Sequence, residues 1–397
     1  MTDVNKPALR FEGFEEVWVY YKLADIGNIQ TGNTPPTKNS ENYDESGTLW
    51  ITPTDIKSNI TTETQKKLSE LGKSRARIAD SGSILVTCIA SIGKNTLIIN
   101  ECGFNQQINS LTPFNSFDSY FLFSQSYFWS KIMKTIAASG TMQIINKTEF
   151  SNLTFLFPKP TEQIKIGNFF KKLDNTIELQ QQEIELLKKQ KSGLLQKMFP
   201  KNGEDKPELR FEGFTDTWEQ RKLGELGSVA MNKRIFKDET TDNGEIPFYK
   251  IGTFGSIPDS FISRELFDLY KSKYPYPEKG DLLISASGSI GRIVEYQGKE
   301  EYFQDSNIVW LKHDERLINS FLKQFYSIVK WNGLEGSTIK RLYNKNILET
   351  EIRLPSVEEQ TKVGNFFKQL DETITLQEQQ LEKLKEMKKG YLQQMFI

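Results

Sequence analysis

The chain has 397 residues, with 51 Lys and Arg against 52 Asp and Glu, one histidine and two cysteines. The length suits two to four domains. The charge balance excludes general adhesion to nucleic acid, which comes from neutralising phosphates, but leaves room for a local basic face. A lone His313 excludes a multi-histidine metal centre, and Cys88 and Cys102 are too few for a disulfide framework or a zinc site. No apolar run approaches the ~18 residues of a membrane span. The opening Met1-Thr2-Asp3-Val4-Asn5-Lys6-Pro7 has no apolar signal core, so the expectation is a soluble, cytoplasmic protein without a membrane role.

In chain order, Pro7-Ala8-Leu9-Arg10-Phe11-Glu12-Gly13-Phe14 leads through Trp18, Lys22-Leu23 and Gly27 to a strand at Trp50-Ile51. Residues 82–86 read as a buried strand, Ser91-Ile92-Gly93-Lys94 as a glycine turn and residues 96–99 as a second strand. Glu162-Gln163 and Gly167-Asn168-Phe169-Phe170-Lys171 then head a helix predicted from about Thr161 to Phe199, with Pro160 suited to its first turn. Such a helix is roughly 58 Å long at ~1.5 Å per residue. Its three–four spacing runs Phe170, Leu173, Ile177, Gln180, Ile184, Leu187, Lys191, Leu194, Met198, a narrow seam of the kind that pairs helices. Residues 202–207 read as an exposed linker.

The order then repeats. Pro207-Glu208-Leu209-Arg210-Phe211-Glu212-Gly213-Phe214 is followed by Trp218, Lys222-Leu223, Gly227 and a strand at Phe248-Tyr249. Residues 280–284, Ser289-Ile290-Gly291-Arg292 and residues 293–296 repeat the strand–turn–strand. Glu359-Gln360 and Gly364-Asn365-Phe366-Phe367-Lys368 head a second seam, Phe367, Leu370, Ile374, Gln377, Leu381, Leu384, Lys388, Tyr391, Met395. Ser356-Val357-Glu358-Glu359 offers this helix a capping box. A whole module is duplicated. Between the anchors the copies diverge, as in residues 58–77 against 255–273, so one frame serves two different targets. The shared polar breaks Gln180/Gln377 and Lys191/Lys388 favour the helices pairing with each other, antiparallel by the pseudo-twofold.

Catalytic equipment is missing. Gly93-Lys94 lacks the glycine five positions earlier and the following Ser or Thr of a P-loop. Asn33-Thr34-Pro35-Pro36-Thr37 has the wrong spacing, and no aromatic, for an adenine methyltransferase loop. Glu386-Met387-Lys388 has a nuclease-like spacing but falls on the predicted helix without a partner aspartate, and His313 sits in a charged run that reads as a solvated loop.

Several of these features come twice: the aromatic opening with Trp and Lys-Leu, the Trp-Ile or Phe-Tyr strand and the Ser-Ile-Gly turn. With them come Gly140-Thr141 through Pro158 or Ser337-Thr338 through Pro355, and Glu-Gln leading a long helix. Together they resemble the specificity subunit of type I restriction-modification systems over nearly the whole chain. The resemblance implies an α+β architecture. Two mixed α/β target-recognition domains are each followed by a long helix, and the helices form an antiparallel coiled coil. The division expected is residues 1–156 for the first recognition domain, 157–199 for its helix, 200–208 for a linker, 209–353 for the second domain and 354–397 for the second helix.

The resemblance also implies the function. Each domain reads one part of a bipartite target in double-stranded DNA, and the helices set the spacer. Two methyltransferase subunits dock and methylate adenine with S-adenosylmethionine, which requires a flipped base. Restriction subunits using ATP and Mg can join. This chain would bind no cofactor or metal and carry no catalytic residue.

Base contacts favour Arg, Lys, Asn and Gln on loops. That singles out Lys57, Arg75, Arg77, Lys94, Asn105 and Gln106 in the first half, and Lys233, Arg234, Lys250, Arg292, Lys340 and Arg341 in the second. The plainer reading of each is a solvated surface charge. Phe169-Phe170 and Phe366-Phe367 read as helix-to-domain core or as a docking surface for the methyltransferase. Ile166, Leu179 and Leu186 lie off the seam and are expected to be exposed until a partner covers them. The alternative class is a non-catalytic protein–protein scaffold, two β-rich modules on a coiled-coil rod.

Overall fold

The computed structural model describes residues 5–139, 144–201, 203–331 and 340–396. The paired Gly140-Thr141 and Ser337-Thr338 lie outside the described residues. The chain forms two compact units, residues 1–182 with 378–397 and residues 183–377. The expected division runs along the chain, whereas the units cut across both long helices. Each unit needs the front half of one helix and the back half of the other to close its core.

In the first unit an antiparallel sheet runs in the order Gly27–Thr31, Ile108–Pro113, Ile84–Thr87, Asn95–Leu97. The same order returns in the second as Gly227–Ala230, Ile308–His313, Leu282–Ser285, Ile293–Glu295. The strands Ile84–Thr87 and Leu282–Ser285 are buried throughout, which is why they read as apolar runs instead of alternating. A further sheet in each unit carries a parallel pair, Trp50 opposite Gly103 and Phe248 opposite Tyr302. His313 ends a strand, half-buried, with Nε2 2.7 Å from Asn319 Oδ1. Its charged neighbours Lys312, Asp314, Glu315 and Arg316 stay exposed, so the ladder draws in the imidazole alone.

A third sheet pairs the opening and closing strands of each copy, Val19–Lys22 with Thr154–Phe157 and Glu219–Lys222 with Glu351–Leu354. The long helices start directly afterwards and span Pro160–Met198 and Val357–Met395. Every seam position named above is buried or half-buried. In the first unit Phe169 meets Tyr391, Phe170 meets Phe396, and Lys388 Nζ lies 2.5 Å from Asp174. In the second, Lys191 Nζ lies 2.6 Å from Asp371. Within the first unit the pairing advances along one helix as it retreats along the other, so the segments run antiparallel.

The helix ends complete the cores. Phe396 packs on Phe121 and Trp18 in the first unit, and Phe199 on Phe321 and Trp218 in the second. The backbone N–H of Leu9 donates to Gln394 O, and that of Leu209 to Lys197 O, both at 2.8 Å, so each opening segment satisfies a terminal helix carbonyl.

Candidate nucleic-acid interface

The repeated Glu-Gln pairs fasten each helix to its domain. Arg10 donates through Nε and Nη2 to the Glu162 carboxylate at 2.6 and 2.7 Å, and Arg210 to Glu359 at 2.6 and 2.8 Å. Both carboxylates are almost completely buried. Gln163 accepts from the Asp118 backbone N–H and donates to Pro158 O; Gln360 accepts from the Ile318 N–H and donates to Pro355 O. The sequence showed these residues as repeats but not as partners. The capping box is therefore half made: Ser356 Oγ accepts from the Glu359 N–H at 3.3 Å, while the Glu359 carboxylate is committed to Arg210.

The phenylalanine pairs divide by face. Phe170 and Phe367 are fully enclosed, so neither can present a docking surface. Phe169 and Phe366 are half-buried and carry the rings of Phe11 and Phe211 edge-on at 5.9 Å. Successive helical residues point about 100° apart at ~3.6 residues per turn, which sends one ring into the core and the next under the opening segment. Ile166 is buried as well, contrary to expectation, whereas Leu179 and Leu186 remain 65% and 56% exposed.

Of the polar candidates in the first unit, Asn105 is buried, its side chain bridging to the Gln107 backbone and amide. It shapes a turn. Arg75 reaches Asn42 Oδ1 at 2.9 Å, and Arg77 donates to Thr31 O. Asn33 ties both backbones together, so these exposed arginines brace a loop. Gln106 is exposed and accepts from the Thr34 hydroxyl.

Lys57 and Lys94 come together. They line an open cleft of about 620 Å³ with Lys131, Lys134 and Lys388, and no carboxylate lines it. Lys131 and Lys134 stand one turn apart on the helix Ser119–Ser139. Lys94 leaves a turn in which Thr87 Oγ1 accepts its backbone N–H at 2.9 Å. Gly93 there has φ 83° and sits where a Cβ would be 2.9 Å from Ser130 Cβ, so glycine is required twice over. The preceding Ala90 holds φ 62°, a left-handed conformation that Gly288 takes in the other copy. Lys388 is paired with Asp174, and Lys131 lies 4.5 Å above the Tyr127 ring. Lys57, Lys94 and Lys134 have no acidic partner among the described residues. Sequence reading found two of these lysines; the helix and the far chain end supplied the rest.

The second unit disposes its cations differently. Lys250 is paired with Asp259 at 2.9 Å, Arg292 points at Gly255 O at 3.4 Å, and half-buried Arg341 donates to Ser306 O at 3.0 Å. Lys233 and Arg234 are exposed on the rings of Tyr274 and Phe236, and Lys340 is exposed. Among the described residues no group of His, Cys, Asp and Glu could hold a metal ion, and no helix is long and apolar enough to cross a membrane.

Two matched units on two shared helices, each with its own polar loops, define a paired recognition module. Residues 15–189 and 215–386 match the type I restriction modification DNA specificity domain, and the chain belongs to that family, carrying the domain twice. It is 54% identical over 155 residues to a protein of Haemophilus influenzae described as a type I restriction enzyme specificity subunit, covering 39% of this chain and 40% of that one. Against the type I restriction enzyme MjaIX specificity subunit of Methanocaldococcus jannaschii it is 28% identical over 303 residues, 69% of this chain and 67% of that one. The fold is that of the type I restriction-modification S subunit of M. genitalium, with TM-score 0.65, 17% identity and 99% of both chains covered.

Proposed function

We propose that the chain is the DNA specificity subunit of a type I restriction-modification complex acting in the cytoplasm. Each unit reads one part of a bipartite duplex target, and the paired helices set the unread spacer. Two methyltransferase subunits dock on the duplicated frame and supply S-adenosylmethionine and the chemistry. Restriction subunits with ATP and Mg join them, and this chain contributes recognition without a catalytic residue.

The observation that carries the reading is a frame repeated down to its Arg10–Glu162 and Arg210–Glu359 pairs, holding polar loops that differ between the copies. A change of target accounts for loops that diverge on a frame that does not. Exposed Leu179 and Leu186 offer apolar contact for a docking subunit.

The test is selection from random duplex DNA by the chain co-purified with its methyltransferase subunit. A two-part motif is expected. Replacing residues 30–150 with the matching segment of another family member is expected to change one half of that motif only. A well-folded complex that enriches nothing would make the chain a protein scaffold instead, and simultaneous change of both half-sites would refute two independent readers.

A further inference from the structure

We infer that the lysine cleft of the first unit grips the phosphate backbone of the duplex and does not read bases. The inference rests on the DNA-binding function proposed above and assigns Lys57, Lys94, Lys131 and Lys134 a positioning role in it.

Charge argues first. The chain as a whole has a net charge of −1, yet one cleft gathers five lysines and no carboxylate. Like charges brought together without counterions raise the energy of the fold, so the cluster fits a polyanion that offsets it. Lys388 has Asp174; among the described residues the other four have no acidic partner, and Lys131 lies over an aromatic face.

Shape and residue type argue next. Base edges lie on the floor of a groove and are reached by protruding helices, ribbons or loops. Phosphates form the projecting rim of a duplex and fit a concave site. The lysines come from separate segments, a loop, a turn and a helix, and so line a surface instead of crowning a tip. Lysine can reach a guanine edge, but as a flexible point charge without the fixed fork of Arg, Asn or Gln it suits the phosphates better. Of the two asparagines that line the cleft, Asn95 is already spent on Ser130 Oγ at 3.2 Å and Asn59 is exposed.

In the second unit Lys250 is paired with Asp259, Arg292 and Arg341 donate to the carbonyls of Gly255 and Ser306, and Lys233, Arg234 and Lys340 are exposed.

The test uses the full chain with its methyltransferase subunit and a duplex carrying the selected target, titrated at several salt concentrations. Each phosphate contact contributes about 0.9 to the slope of log K against log salt. The combined variant Lys57→Gln, Lys94→Gln, Lys131→Gln, Lys134→Gln is expected to lower that slope by about three to four and to leave the selected sequence unchanged. Arginine at the same four positions is expected to keep the slope, which separates charge from folding damage. The variant Lys250→Gln, Arg292→Gln, Arg341→Gln is expected to move the slope by about one or less.

An unchanged slope in the glutamine variant overturns the inference, and so does a changed first half-site, which would make these lysines base readers. Loss of methyltransferase co-purification would assign the cleft to an acidic protein face. If the unmodified complex enriches no motif, the proposed function itself fails, a result distinct from a selective complex whose salt slope ignores these lysines.

Discussion

Arg10 and Glu162 show how much one repeated pair decides. The guanidinium is 12% exposed and the carboxylate 2%, so neither can fall back on water when its partner is removed. Glu162→Ala is expected to cost about 3 kcal/mol or more in denaturant melts, with a similar loss for Glu359→Ala, because a buried charge is left uncompensated. The double change Arg10→Met with Glu162→Leu is expected to recover much of that, since the desolvation penalty disappears with both charges. Burial also governs the cysteines. It pushes the thiols of Cys88 and Cys102 up to about 12. At pH 8 neither offers appreciable thiolate, so an alkylating reagent is expected to leave both unmodified in the native protein and to label both on unfolding, read by mass spectrometry.

Among the elements, the long helices carry information at their polar positions. Lys388 answers Asp174, which is 4% exposed and also accepts from the Tyr120 hydroxyl at 2.9 Å. Burial, with Asp174 alongside, pushes the Tyr120 phenol up, so it stays a neutral donor. Lys191 answers Asp371, which is 29% exposed. The same substitution should therefore have unequal effects: about 2–3 kcal/mol for Lys388→Leu, which strands a buried carboxylate, and about 1 kcal/mol for Lys191→Leu, whose partner can hydrate. Equal losses would mean that the pairs contribute through packing alone. Each long helix also carries two interior glycines, of which the first is enforced by a close approach. A Cβ on Gly167 would lie 2.2 Å from Asp118 Oδ1, and one on Gly364 would lie 2.1 Å from Ser320 Oγ. Close approach of the domain outweighs the helix propensity lost, about 1 kcal/mol relative to alanine.

In the proposed function the long helices set the distance between the two half-sites. Inserting four helix-forming residues after Gln182 and four after Gln377 adds roughly 6 Å at ~1.5 Å per residue and turns the far faces by only about 40° at ~3.6 residues per turn. Duplex DNA advances ~3.4 Å per base pair. For a duplex lying along the helices, the preferred spacer is expected to lengthen by about one to two base pairs with both half-sites unchanged. Two-residue insertions turn the faces by about 200° and are expected to abolish binding. Methylation of sites differing only in spacer length measures both, and an unchanged optimum with full activity would show that the helices do not set the spacing.

Much of this was legible in the residues alone. Duplication, seam and helix ends are local or periodic, so they survive in one dimension. The first helix was placed within a residue of its observed bounds, because Pro160 and Pro200 bracket a proline-free run rich in Glu, Gln, Lys and Leu. The family resemblance rests on that same order of elements. The partners of individual side chains were not legible, because contacts between residues far apart in the chain leave no local trace. Nothing near Glu162 names Arg10 as its partner, and nothing near Ile166 says that the first unit buries it. Asn105 and Gln106 are adjacent amides, yet the fold turns one inward and leaves the other in water. Lys57 and Lys94 look like scattered surface charges until the helix Ser119–Ser139 and the closing helix bring three more lysines beside them. Periodicity fixes which face of an element is apolar. Only the packed chain decides which charges share a cleft, because that depends on distances between segments that the order of residues does not encode locally.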